Sequence, residues 1–408
     1  MTTSSEHVAN FGARFCNELQ KDKSFICSPL SVETVVALVA RGSSNESRAE
    51  IFKALDILNE DDLFSTFISI TKTLASTTNP SKFRTCEDVT LKIVNKIYIK
   101  KGAALKPALK KDAEEVFNAS LEQVDFRHGN CTANAINTWV ANQTNNTIKD
   151  IVSAEMFDDN TQLVLINAIY FYAFWEHQFN AEDTYPRVFH VNNSKKINIK
   201  QMSLMGKPFN YKHSEELKAK ILQMFYIGGE ASMVIVLPDE IEGLSDLMKN
   251  MASGHDLMAE IKSLKKKDLQ VIIPKFKVES HINLKELLPK MGINLIFDQN
   301  KSEINMLSSD DRLFVSEAIQ KAFIAVDELG TEAAAATQMI FREHCGRFWT
   351  GERFMADHPF LYLLTVVFYF SCVKKLASSG FYSRTTRFAR GSTIESFHLL
   401  VFQFHTRR

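Results

Sequence analysis

The sequence lacks the short motifs that mark common enzyme classes. It contains no G-x-S-x-G nucleophile elbow, no G-x-x-x-x-G-K-S/T phosphate loop, no H-E-x-x-H zinc motif and no G-x-G-x-x-G dinucleotide motif. His344 stands beside Cys345, but catalytic dyads usually join residues that are distant in the chain. These absences favour a protein that acts by binding and is not an enzyme, and no cofactor is expected.

The chain also lacks a net charge of either sign. Its 48 basic side chains balance its 48 acidic ones, so there is no overall electrostatic attraction to nucleic acid or to an anionic membrane. No nucleic-acid partner is expected. Two local basic runs fit a sulfated polysaccharide, although a solvated charged face is the commoner explanation of such runs. The first comprises Lys100, Lys101, Lys106, Lys110 and Lys111, and the second comprises Lys262 and Lys265 to Lys267.

Cysteines are few and scattered. The six thiols form no CxxC pair and have no His at ligand spacing, which argues against a zinc site and against a disulfide scaffold. No metal site is therefore expected.

Two features of the sequence give opposite indications of the cellular compartment. The N-terminus from Met1 to Glu6 is polar and has no apolar stretch of signal-peptide length, which favours the cytoplasm. Seven N-x-S/T sequons favour instead an extracellular or cell-surface glycoprotein, which we take as the expectation with the cytoplasm as the alternative. The sequons begin at Asn45, Asn118, Asn130, Asn142, Asn145, Asn192 and Asn300.

The order of periodic segments predicts one large α+β domain. Val8, Phe11, Phe15 and Leu19 recur at helical spacing, and Ser28-Pro29 is a typical helix start. Short runs rich in Val, Ile, Leu and Phe then predict strands within 162–171, 231–237, 269–273 and 322–326. Long helices come first and many strands later, without a regular alternation and without a Pro/Gly/Ser-rich linker, so residues 1–373 are expected to form a single domain.

The segment from Phe323 to Thr337, FIAVDELGTEAAAAT, resembles the hinge of the serpins, where the reactive loop leaves the central sheet. The resemblance runs from the first helix to Leu364 and fits the ovalbumin-like branch, which lacks a cleavable signal peptide. The other matching segments, in the family's order, are Ser28-Pro-Leu-Ser31, Asn167-Ala-Ile-Tyr-Phe171 with Trp175, Met233 to Gly243, Ile273-Pro-Lys-Phe276 and Ala356-Asp-His-Pro-Phe360.

The resemblance implies three β-sheets, about nine surrounding helices and an exposed reactive loop at about 330–355. It further implies a monomeric suicide substrate of serine proteases. The cleaved loop enters the central sheet as a strand and holds the acyl-enzyme in a covalent complex. The alternative is a serpin-fold protein that does not inhibit and serves as a chaperone, carrier or storage protein.

The loop segment is composed as insertion requires. It has no proline, which would remove a ladder hydrogen bond. Taking alternate positions, the face of Thr331, Ala333, Ala335, Thr337, Met339 and Phe341 carries no charge, whereas Glu332, Gln338 and Arg342 fall on the other face. The hinge is assigned to Gly330, Thr331, Glu332, Ala333, Ala334, Ala335, Ala336 and Thr337.

The scissile bond has four candidate positions. Counting forward from Gly330 by the family spacing places it after His344, and counting back from His358-Pro359 places it after Phe348, so Arg342 and Arg347 are candidates too. We favour Arg347, which fits the acidic pocket of a trypsin-like protease, and then Phe348, which fits a chymotrypsin-like one.

Two regions depart from the family pattern. In the polar cluster that governs sheet opening, assigned to Ser28, Ser31, Asn167, Gln320 and Trp175, Gln320 replaces the usual His. After Leu364 the family ending is missing. Phe360 to Val373 predicts a buried strand, with a membrane-associated hairpin as the alternative, and 374–408 is an atypical Ser/Arg-rich tail or the product of an altered reading frame.

Overall fold

The computed structural model describes residues 4–19, 24–78, 89–102, 104–229, 231–309, 311–331, 349–369 and 394–404. Within these ranges the α-helices are α1 Ser4–Glu18, α2 Pro29–Arg41, α3 Asn45–Ala54, α4 Glu60–Thr78, α5 Pro107–Glu115, α6 Gly129–Gln143, α7 Leu244–Ala252, α8 Leu257–Lys262 and α9 Leu284–Leu287. The strands are β1 Phe25–Cys27, β2 Val89–Lys100, β3 Ser120–Val124, β4 Leu163–Phe174, β5 Tyr185–His190, β6 Lys196–Ser214, β7 Ala219–Phe225, β8 Ala231–Pro238, β9 Lys265–Pro274, β10 Phe276–Asn283, β11 Val315–Val326, β12 Gly330–Thr331, β13 Arg353–Met355, β14 Phe360–Tyr369 and β15 Ile394–Phe404.

The predicted α+β class is confirmed, and the nine described helices match the expected number. Strands lie in all four apolar runs that predicted them. The second helix begins as the sequence indicated, because the Ser28 side chain accepts a hydrogen bond from Ser31 N and Pro29 occupies the first helical position. Among the described residues, no helix combines the length and the apolar character needed to cross a membrane.

One sheet has six strands in the order β10-β11-β12-β4-β2-β3. Its central strand β4 is apolar along almost its whole length because both faces of the sheet are covered. Leu163, Leu165 and Ile169 face the main core, which includes α2, while Val164 and Ile166 face a second core that includes residues of α6. Asn167 is the polar exception in this strand, and by alternation it lies on the side of α2.

The second sheet has nine strands and joins two of the three sheets that the resemblance implies. The two implied sheets are continuous through β6, which is 19 residues long. Before an irregularity between Leu204 and Lys207, β6 pairs with β5 and β9. After the irregularity it pairs with β7 and β9.

Strand β14 forms where the apolar run from Phe360 predicted a strand. Strand β15 lies inside the segment assigned to the tail, and it pairs with β14 on one side and β1 on the other. Sequence analysis did not predict β15.

Candidate functional site

The site is the place where the two central strands β4 and β11 separate. They run parallel and hydrogen-bonded from the pair Val315–Leu163 to the pair Phe323–Tyr170. Beyond that point the short strand β12 lies between them and pairs antiparallel with both. Gly330 and Thr331 therefore stand where the hinge was predicted, already as a third strand. The rest of the predicted hinge, Glu332, Ala333, Ala334, Ala335, Ala336 and Thr337, and the bond candidates Arg342, His344, Arg347 and Phe348 lie outside the described residues.

Position 330 requires glycine because there is no space for a side chain. A Cβ atom at this position would lie 2.0 Å from the carbonyl oxygen of Ala173 and 2.7 Å from Cα of Phe174. Both are backbone atoms of β4, so neither is able to move aside without disturbing the strand. Only glycine lets the chain approach β4 this closely.

Thr331 is fully buried and anchored by its hydroxyl group. Its Oγ1 lies 2.8 Å from the hydroxyl of Tyr226. The Tyr226 ring stacks on Trp175 with a centroid distance of 4.4 Å and an interplanar angle of 11°. Burial raises the pKa of Tyr226 well above its ordinary value, so the phenol stays neutral. The hinge thus enters the sheet over an aromatic platform.

The turn before the hinge is held by Asp327 and Trp175. The Asp327 carboxylate accepts hydrogen bonds from the backbone N–H of Leu329 at 2.9 Å and of Gly330 at 3.1 Å. The indole N–H of Trp175 donates to the backbone carbonyl of Asp327 at 3.0 Å, and its backbone N–H donates to Leu329 O. These bonds fix the direction in which the chain turns into the sheet.

Glu328 connects the same turn to two other elements. Its carboxylate accepts from Nζ of Lys275 at 2.5 Å and from Oγ1 of Thr184 at 2.9 Å. Partial burial acts to raise the pKa of Glu328, but the hydrogen bonds from Lys275 and Thr184, together with the positive charge of Lys275, outweigh it and lower the pKa. Sequence analysis missed this anchor because its partners come from distant parts of the chain.

Replacing Glu328 by glutamine is expected to remove an acid-sensitive contribution to stability. A carboxyl with a lowered folded-state pKa stabilises the folded state above its unfolded pKa of about 4.3, and the contribution is lost as the pH falls through the folded pKa. The wild type should therefore melt at a higher temperature than Glu328→Gln near neutral pH, and the two should converge below about pH 4. Glu114→Gln, at an exposed position of α5, should track the wild type. A pH-independent difference between wild type and Glu328→Gln would contradict this assignment.

Further along β4, four of the five residues assigned to the sheet-opening cluster come together. Gln320 Nε2 donates to Asn167 Oδ1 at 2.6 Å and to the backbone carbonyl of Ser28 at 3.0 Å, while its Oε1 accepts from Ser28 N at 2.9 Å. Asn167 Nδ2 donates to Ser31 Oγ. The amide in place of the usual His thus ties β11, β4 and the start of α2 together.

The cluster contains one residue that sequence analysis missed and lacks one that it included. Asn95 of β2 accepts from Ser31 Oγ at 3.0 Å and also from Asn167. Asn95 could have been noticed in the sequence, because it is a polar residue within the apolar part of β2. Trp175 does not lie in this cluster, since it follows β4 at the hinge end of the sheet.

The predicted surface features lie mostly in solvent. Six of the seven sequon asparagines are exposed, and Asn192 is half-buried. In the basic runs most lysines are exposed, but several already have partners. Lys106 donates to the carbonyl of Asn305, Lys111 pairs with Glu115, and Lys267 pairs with Glu352. A sulfated polysaccharide at these runs stays a prediction.

Comparison with known proteins agrees with this arrangement. The model of one protein family, described as serpin (serine protease inhibitor), matches residues 6–366. The chain is 34% identical over 358 residues to antichymotrypsin-2 of Bombyx mori, covering 87% of this chain and 92% of that protein. It is also 34% identical to antitrypsin of Bombyx mori, covering 88% and 89%. The crystal structure of Serpin48 from Tenebrio molitor matches with a TM-score of 0.80 and 29% identity, over 99% of this chain and 98% of that one.

Proposed function

The chain belongs to the serpin family of serine protease inhibitors, which are not enzymes, and we propose that it traps its target protease as a suicide substrate. The observation that carries the proposal is β12, which lies between β4 and β11 at the point where they separate. A cleaved loop that continued this strand would replace the β4–β11 hydrogen bonds and gain partners on both edges. The bound protease would be carried along the sheet with it.

The register of β12 defines where each loop residue would lie after insertion. Because β12 is antiparallel to both neighbours, each further loop residue pairs one residue back along β4 and β11. Thr337 would then stand between Asn167 and Gln320, which pair directly in the present sheet. Insertion would break the Gln320–Asn167 hydrogen bond, and the Thr337 hydroxyl is a donor and acceptor able to replace it.

The same register gives the length of loop that the sheet accepts. Phe341 would stand opposite Leu163, the first residue of β4, so residues beyond Phe341 would form a tether to the protease. A bond after Arg347 leaves the tether 342–347, which reaches about 20 Å when extended. A scissile bond after His344 would leave a tether of about half that length. A long tether distorts the protease less, so we expect part of the encounters to end in simple cleavage.

The proposed target is a trypsin-like protease cut at Arg347, with a chymotrypsin-like protease cut at Phe348 as the second candidate. An acidic primary pocket accepts Arg and an apolar pocket accepts Phe. The relatives named for the two activities, antitrypsin and antichymotrypsin-2, are equally similar to this chain. The choice between a trypsin-like and a chymotrypsin-like target therefore rests on the loop sequence.

We also propose an extracellular or cell-surface location. It is supported by the exposure of six sequon asparagines, which a glycan would need. The basic run from Lys262 to Lys267 remains a proposed contact for a sulfated polysaccharide.

The test is to mix the protein with trypsin and, separately, with chymotrypsin and to analyse the products on a denaturing gel. We expect a band at the summed mass with trypsin, accompanied by some cleaved inhibitor. Sequencing of the released C-terminal peptide should begin at Phe348 for a cut after Arg347, or at Trp349 for a cut after Phe348. Cleavage by both proteases without any complex would favour the chaperone, carrier or storage alternative.

A further inference from the structure

His255, which precedes the N-cap residue of α8, lies between two glutamates that come from different elements. Its Nδ1 is 3.1 Å from Oε1 of Glu216, in the turn between β6 and β7. Its Nε2 is 3.6 Å from Oε1 of Glu260 in α8. The candidate ligand atoms of these three residues all lie within 4.8 Å of one another. None of the three takes part in the hinge or in the polar cluster.

The two nitrogens of His255 are in different situations. The distance at Nδ1 is that of a hydrogen bond, whereas 3.6 Å at Nε2 is too long for one. Nε2 is buried and has no hydrogen-bond partner. If Nδ1 carries the proton and donates to Glu216, the lone pair of Nε2 points toward a carboxylate oxygen. Two acceptors that face each other call for a positive charge between them.

The separation at Nε2 suits a zinc-type cation. Zinc lies about 2.0–2.2 Å from His nitrogen and carboxylate oxygen, so a tetrahedral ion places these two ligand atoms about 3.4 Å apart. The hydrogen bond from the other ring nitrogen to a carboxylate is the arrangement that usually orients a metal-binding His.

Glu260 is held in place as a carboxylate ligand. Its Oε1 accepts from Ser214 Oγ at 2.9 Å and its Oε2 accepts from Lys212 Nζ at 2.7 Å. Lys212 binds Oε2, the oxygen that the proposed ion does not use, so it neutralises part of the carboxylate charge and leaves Oε1 for the ion.

We propose that His255 Nε2 and Glu260 Oε1 bind a divalent cation of the zinc type, with Glu216 orienting the imidazole through Nδ1. The three residues line a cavity of about 390 Å³, which leaves room for water to complete the coordination. The ion would join α8 to the turn between β6 and β7. The sequence predicted no metal site because only cysteine pairs and histidines near cysteines were considered as ligands, and this site contains no cysteine.

His213 provides a matched comparison within the same region. Its Nδ1 lies 3.1 Å from Glu215 and its Nε2 lies 2.8 Å from Asp239. Both nitrogens are therefore within hydrogen-bond distance of a carboxylate, and no gap remains that a cation would fill. His213 is also a histidine between two carboxylates, but we do not expect it to bind the ion.

The experiment titrates Zn²⁺ into the EDTA-treated full-length protein by calorimetry, after alkylation of thiols, since Cys131 is exposed. We expect one saturable site, and His255→Ala or His255→Gln should weaken it at least tenfold. His213→Ala should bind as the wild type does. Melting of the metal-free variants checks that they are folded, and Zn²⁺ should raise the melting temperature of the wild type and of His213→Ala only.

The proposal is overturned if Zn²⁺ shows no saturable binding, or if both His255 variants bind as tightly as the wild type. Equal loss in His213→Ala would also overturn it, because the binding would then not depend on the gap at Nε2. None of these outcomes depends on protease inhibition.

Discussion

Replacing Thr331 by arginine is expected to abolish the covalent protease complex while leaving cleavage of the loop intact. Thr331 is the first hinge residue with a side chain inside the sheet, fully buried and 2.8 Å from the Tyr226 hydroxyl. An unpaired guanidinium in that position costs several kcal/mol, more than the hinge gains from one buried threonine. The strand would not extend, and the protease would have time to complete hydrolysis.

The measurement is the ratio of complex to inhibitor cleaved after Arg347 during reaction with trypsin, with each product identified by its mass because both variants add an arginine that trypsin also cuts. We expect this ratio to fall at least tenfold in Thr331→Arg, with an unchanged rate of loop cleavage. Glu332→Arg is the matched control, since it introduces the same group one residue later, on the face that alternation assigns to solvent. A complex yield in Thr331→Arg equal to that of the control would show that trapping does not require entry of Thr331 into the sheet.

Replacing Gln320 by alanine is expected to lower the free energy of unfolding by about 3 kcal/mol or more. The change removes three hydrogen bonds and leaves Ser28 N, Ser28 O and Asn167 Oδ1 without that partner in a fully buried site. Each buried polar group that loses its partner costs about 1–3 kcal/mol. The three losses concern one small region, so they are not expected to add fully.

Urea unfolding followed by circular dichroism measures this effect. Gln143→Ala is the control, because Gln143 is the last residue of α6 and its side chain is exposed. It should change the unfolding free energy by less than about 0.5 kcal/mol. A similar small change in Gln320→Ala would mean that the amide does not hold β11, β4 and α2 together.

The fold and the start of the hinge were predictable because their signals are local. The apolar runs give the strands, Ser28-Pro29 gives the start of α2, and the small residues after Gly330 indicate a chain that enters a sheet. Contacts between distant segments were not predictable in this way. The Glu328–Lys275 pair and the place of Asn95 depend on how strands are brought together in three dimensions.

The C-terminal strand and the joined sheets were missed for another reason. Strand β15 follows a long segment that does not match the family ending, so the resemblance gave no position for it. The joining of two sheets depends on an irregularity inside β6, and the apolar pattern of a strand does not show where its partners change.

The central claim is that the cleaved loop becomes a strand between β4 and β11. The most direct test is to cleave the loop with a protease, purify the product and compare its thermal unfolding with that of the intact protein, using Thr331→Arg treated in the same way as the control. A completed central strand should keep the cleaved wild type folded at temperatures at which the intact protein has unfolded, and cleaved Thr331→Arg should show no such gain. Equal unfolding temperatures of cleaved and intact wild type would contradict insertion.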